Sequence, residues 1–76
     1  MFHWITFDAE ILGGKPHVRG TRLSVEFIME LFASGAAKTE IIQTYPQLTP
    51  EAIDEVLHYA ARSVKNEVFL SAEVAV

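Results

Sequence analysis

The sequence predicts an all-α protein: a compact three-helix unit of helix-turn-helix proportions, with a short N-terminal strand before it and an extended apolar tail behind it. Three observations predict this. From Ser24 onward apolar residues recur at three- and four-residue spacing, the period of one helical face. Two short breaks, at 35–38 and 46–49, divide that region into three pieces that must pack against one another. The flanks on either side lose the helical period altogether.

The first 20 residues do not read as helix. Trp4, Ile5, Thr6 and Phe7 favour an extended strand. Gly13-Gly14-Lys15-Pro16 then breaks any regular element, because glycine frees the backbone while proline fixes φ and lacks an amide donor. The reading is one short strand feeding a basic loop that Gly20 closes.

Each helix has legible signals. Ser24 is placed to cap the first, whose apolar face is Val25, Ile28, Met29 and Phe32, widened by Leu31, with Gly35 as its C-terminal stop. A second helix over 38–45 turns Ile41, Ile42 and Tyr45 inward, and Pro46 stops it by pushing its neighbour out of the α region. The third has Thr49 as cap, Pro50 at the first helical position and Glu51 near the exposed amides of the first turn. Its inner face is Ile53, Val56, Leu57, Ala60 and Val64, with Ala61 allowing close approach of a neighbour. Lengths of roughly eleven, eight and fifteen residues resemble a helix-turn-helix arrangement and equally describe a small bundle that binds no DNA.

Beyond Asn66 the chain turns apolar with a period of two. Val68, Leu70, Ala72, Val74 and Val76 alternate with Phe69, Ser71, Glu73 and Ala75. Such a segment either folds back on its own core, pairing with the strand at 4–7, or docks on a second subunit or partner. Docking is the expectation, because three short helices leave little core to receive it. The candidate partner-binding residues are Val68, Phe69, Leu70, Val74 and Val76. The whole chain reads as one domain, 1–76: strand and basic loop over 1–23, three-helix core over 24–65, interaction tail over 66–76.

Size and composition narrow the functional classes. A 76-residue chain that is 50% hydrophobic and has no cysteine can use neither disulfides nor thiolate metal sites to supplement its core. Association is the remaining supplement, so a homodimer or higher homo-oligomer is expected. Six Lys and Arg against ten Asp and Glu give a formal charge of −4, which counts against sequence-blind nucleic-acid binding. No stretch approaches a membrane span, and the apolar start at 1–7 is too short and uncharged for a signal peptide, so a cytoplasmic protein is expected.

Catalytic candidates are few. His3, His17 and His58 are scattered over strand, loop and helix without metal-ligand spacing. Asp8 and Glu10 could pair with His17, and Asp54 lies one helical turn from His58, but the second pair reads as an ordinary surface contact. No phosphate-loop spacing follows Gly13-Gly14-Lys15. The expectation is a protein that binds, with no catalytic residues, metal or cofactor. The segment of greatest local character is 14–22, with three of the six basic residues. Lys15, Arg19, Thr21 and Arg22 are the candidate anion or nucleic-acid contacts, since guanidinium forks and glycine amides suit a phosphate or carboxylate. The alternative is architectural, with Arg19 or Arg22 bonding Glu26, Glu30 or the C-terminal carbonyls of a helix. A recognition helix at 50–64 would present Glu51, Asp54 and Glu55 first, which repel phosphate, and Arg62 and Lys65 only at its far end.

The run Ile11-Leu12-Gly13-Gly14-Lys15-Pro16-His17-Val18-Arg19-Gly20-Thr21-Arg22, joined to Tyr45-Pro46, Leu48-Thr49-Pro50-Glu51 and Tyr59-Ala60-Ala61, resembles the small bacterial DUF433 family over about 5–62. The resemblance implies a homeodomain-like three-helix fold and an antitoxin-like adaptor that binds and neutralises a PIN-like nuclease toxin, with autoregulation through operator DNA. A DNA-binding regulatory module without a toxin, and a purely structural homo-oligomer, are the alternatives. Lys15, Arg19, Thr21 and Arg22 match the family's signature positions. The chain departs from the usual pattern at Ala9, where proline is common, and at Ala37, where a serine often caps the second helix; losing that cap weakens the helix start by roughly 1 kcal/mol.

Overall fold

The computed structural model describes residues 2–64, in the order β1 (Ile5–Thr6), a 3-10 turn (Leu12–Gly14), β2 (His17–Val18), α1 (Val25–Ala33), α2 (Lys38–Thr44) and α3 (Pro50–Ser63). The three helices are as expected, each slightly shorter, at nine, seven and fourteen residues. The all-α reading needs correction. β1 and β2 pair antiparallel, Ile5 opposite Val18 and Thr6 opposite His17, so the fold is three helices with a two-stranded sheet. Part of the basic loop is therefore strand. Two residues are too few to show a period, which is why the sequence reads as loop there.

The caps explain where the helices begin and end. Ser24 accepts the Phe27 amide at 2.9 Å, and Thr49 accepts the Ala52 amide at 3.1 Å. At the end of α1 the Ala36 amide bonds the Leu31 carbonyl and the Gly35 amide bonds that of Phe32. This pair of bonds needs a left-handed residue between them, and Gly35 supplies it at φ 99°. The start of α2 is half capped. Ala37 has no oxygen to offer, but the Glu40 carboxylate reaches back to accept the Ala37 amide at 2.7 Å, the reciprocal half of a capping box.

One core joins the sheet to all three helices. Ile5 and Val18 from the strands, Val25 and Ile28 from α1, Ile41 from α2, Leu48 from the connection, and Ala52, Ile53 and Val56 from α3 are all buried. Met29, Leu31, Phe32, Ile42, Tyr45, Leu57 and Ala60 pack around them half-buried, as their spacing predicts. Val64 does not belong to this set. Helix α3 ends at Ser63, so Val64 leaves the helical face and is 39% exposed. Among the described residues no helix is long and apolar enough to cross a membrane. The tail candidates Val68, Phe69, Leu70, Val74 and Val76 lie outside the described residues.

Two substitutions test this packing by urea unfolding, read as midpoint shifts at constant slope. Ile53→Ala removes a fully buried side chain and lowers stability by about 3 kcal/mol. Ala37→Ser gives the Glu40 amide the acceptor it lacks and raises stability by roughly 1 kcal/mol.

Candidate functional site

The signature segment 14–22 folds by local chemistry before it touches anything else. Val18 and Thr21 close a tight turn in which the Val18 carbonyl accepts both the Thr21 amide, at 3.0 Å, and the Thr21 hydroxyl, at 2.8 Å. Gly20 takes φ 80°, the left-handed value such a turn requires at its third position. The Thr21 oxygen then accepts the Leu23 amide at 3.0 Å, and the Leu23 carbonyl accepts the Val18 amide, also at 3.0 Å. The chain is thereby reversed, and Ser24 is returned beside His17 at the start of α1. A further bond from the Val25 amide to the Pro16 carbonyl, 2.9 Å, fixes that approach.

The charged residues of the segment are engaged in the same construction. The Arg19 amide bonds the Trp4 carbonyl at 2.7 Å, and its Nε bonds the His3 carbonyl at 3.0 Å. One arginine thus holds two successive residues of the N-terminal segment. Lys15 Nζ pairs with Glu26 Oε1 at 3.0 Å, with both side chains mostly exposed; such a pair contributes at most about 1 kcal/mol. Arg22 is exposed and makes no ion pair among the described residues. Arg19 and Thr21 lie in the turn itself, Lys15 and Arg22 flank it, and Lys15, Arg19 and Thr21 each have a side-chain partner within the chain. Arg19 is bonded within the fold, though not by the helix groups expected, and Arg22 makes no ion pair with Glu26 or Glu30. Arg19 meets backbone carbonyls of the N-terminal segment, while the carboxylate of Glu26 goes to Lys15.

His17 is the residue that sequence reasoning misplaced most. It is 1% exposed, with Nδ1 3.1 Å from the Lys15 carbonyl, and belongs to the core. It pairs with neither Asp8 nor Glu10: Asp8 Oδ1 accepts the Glu10 amide at 2.9 Å in a local turn. Asp54 likewise pairs with Lys38, at 2.6 Å, and not with His58, linking α2 to α3. Glu55, a mere repulsive charge in the sequence reading, accepts the Trp4 amide at 2.7 Å and ties the N-terminal segment to α3. A bond across 51 residues leaves no local signal.

Two surface concavities stand out among the described residues. One, of about 390 Å³, lies at the α1–α2 junction between Leu31, Ala36, Ile41 and Tyr45, with Glu40 and Thr44 at its rim. The other, of about 500 Å³, is bounded by Phe2, Glu55, His58, Ala61 and Arg62 on the outer side of α3. Arg62 lies over the Phe2 ring, 5.5 Å from its centroid. Among the described residues no group of three His, Asp or Glu is placed to hold a metal ion.

A family model described as "Protein of unknown function (DUF433)" matches residues 5–60. A solved structure of a DUF433 member protein from Anabaena variabilis ATCC 29413 is similar to this chain, with a TM-score of 0.75 and 27% identity, over 96% of this chain and 69% of that one. No curated protein matches.

The assignment of the two arginines is open to a direct comparison. Arg19→Ala removes a bond to a backbone carbonyl and lowers thermal stability by about 1 kcal/mol equivalent. Arg22→Ala leaves stability within about 0.5 kcal/mol of the parent.

Proposed function

The chain belongs to the DUF433 family, and on that premise we propose that it is an antitoxin-like adaptor that captures and neutralises a PIN-like nuclease. The observation that carries this reading is the engagement of the signature side chains. Lys15 pairs with Glu26, the Arg19 Nε with the His3 carbonyl and the Thr21 hydroxyl with the Val18 carbonyl, which weakens the case for the phosphate clamp that their composition suggests. Capture of a protein then falls to apolar surface. The segment containing Val68, Phe69, Leu70, Val74 and Val76 alternates at the period of a strand that adds to a sheet edge or fills a groove.

Operator binding is the second half of the proposal, in a homeodomain-like, helix-turn-helix arrangement of α2 and α3 within a cytoplasmic homodimer. The short connection between these helices and the exposed Arg22 favour it. Exposed Glu51 and Asp54 at the start of α3 oppose phosphate approach, so the DNA contacts are expected from the basic segment, Arg22 foremost, of one or both subunits.

The reading predicts a PIN-like nuclease encoded beside the gene, and the test is co-purification of the two chains. The full chain is expected to form a stable complex and abolish RNA cleavage, and Leu70→Asp is expected to weaken inhibition by at least about tenfold. Full nuclease activity under saturating protein, or inhibition unchanged by Leu70→Asp, contradicts the proposal. For the DNA half, a salt-dependent mobility shift on the upstream DNA is expected to vanish in Arg22→Ala.

A further inference from the structure

Beside the last two turns of α3 an aromatic cluster runs outward from the core: Phe2 and Tyr59 pack half-buried against its edge, and Phe7 stands out in solvent. Phe2 and Phe7 both meet Tyr59 edge-on, with centroids 5.5 and 6.1 Å away, and Arg62 lies over the Phe2 ring. Phe7 is 59% exposed, and Val64 just beyond the helix 39%. On a domain this small, so much aromatic surface in one place asks for a cover.

We propose that this face is the docking site of the chain's own segment 68–76. Position argues for it first. The chain leaves α3 at Ser63, within two turns of Tyr59 and Arg62, and four further residues bring it to Val68. An extended chain advances about 3.3 Å per residue, so 68–76 starts within reach of the face. Pattern argues for it second, since Val68, Leu70, Ala72, Val74 and Val76 offer one continuous apolar side to a row of rings. Charge agrees: Glu73 is the one charged residue of 68–76, and Arg62 has no carboxylate partner among the described residues. The groove at the α1–α2 junction has apolar walls too, but no chain leaves the fold there. Because the segment is tethered beside its site, an effective concentration in the millimolar range lets weak contacts suffice.

Docking in cis does not require a nuclease. It adds to the capture reading a state in which the free protein covers its own apolar segment, which a partner with a better groove then takes over. Either idea can fail while the other stands, since docking is measured on the protein alone.

Absence of cysteine makes the measurement clean. Three full-length double variants are oxidised at low micromolar concentration: Phe7→Cys with Leu70→Cys, His58→Cys with Leu70→Cys, and Thr44→Cys with Leu70→Cys. Phe7, His58 and Thr44 are all exposed, so each replacement leaves the core intact. The first two pairs probe either side of the face, and the third probes α2. The expected result is a disulfide within one chain that forms at least about tenfold faster in either of the first two than in the third. Equal rates in all three, or cross-links only between chains, overturn the proposal, the latter in favour of exchange between two copies.

Discussion

The Val18 carbonyl, accepting two bonds from Thr21, is the constraint on which the rest of this fold depends. It reverses the chain within four residues and so sets β2 against β1 while delivering Ser24 to cap α1. Val18 and Val25, on either side of the reversal, are then both buried in the same core. Without the turn the N-terminal third would have no fixed approach to the helices. The left-handed backbone of Gly20 and the hydroxyl of Thr21 are what make it possible.

From that turn the connections run outward through Arg19 and Glu55. Arg19 draws residues 3 and 4 onto β2, and Glu55 draws the Trp4 amide onto α3, so sheet and helix are tied through one short segment. A domain of 76 residues buries too little apolar surface to leave such groups unmatched. Polar bonds at the edge of a small core set the direction of each element, while Ile28, Ile41, Ile53 and Val56 supply the burial. The same economy shapes the signature segment, where the Thr21 hydroxyl bonds Val18 within the turn and the Arg19 Nε bonds the His3 carbonyl.

Much of this was legible in the sequence, and the misses have a common cause. Helix α3 is announced by Thr49, Pro50 and Glu51, and α1 by Ser24 and Gly35, because caps and periods are local chemistry. Strand β2 is not announced, since two residues carry no alternation and Gly13-Gly14 with Pro16 reads as loop. His17 is charged or polar by type yet buried by tertiary placement, and Glu55 finds a partner far along the chain. At α2 the missing serine cap suggests a weak start, but Glu40 partly compensates from within the helix. For the candidate site, composition gathered Lys15, Arg19, Thr21 and Arg22 into one segment; only geometry could distinguish Arg19 and Thr21, bonded to backbone carbonyls, and Lys15, paired with Glu26, from Arg22, which makes no ion pair among the described residues.

The central claim is that the signature segment is architecture, folded as one unit with the helical core. Native-state amide exchange tests it most directly, by comparing Val18, Arg19 and Leu23, whose amides bond Leu23, Trp4 and Thr21, with Ile53 and Val56 in α3. The three turn amides are expected to exchange only through global unfolding, with protection matching the helical pair to within about tenfold. Exchange of the turn amides orders of magnitude faster than that of Ile53 and Val56 would contradict it, because the segment would then open on its own while the helices stay folded.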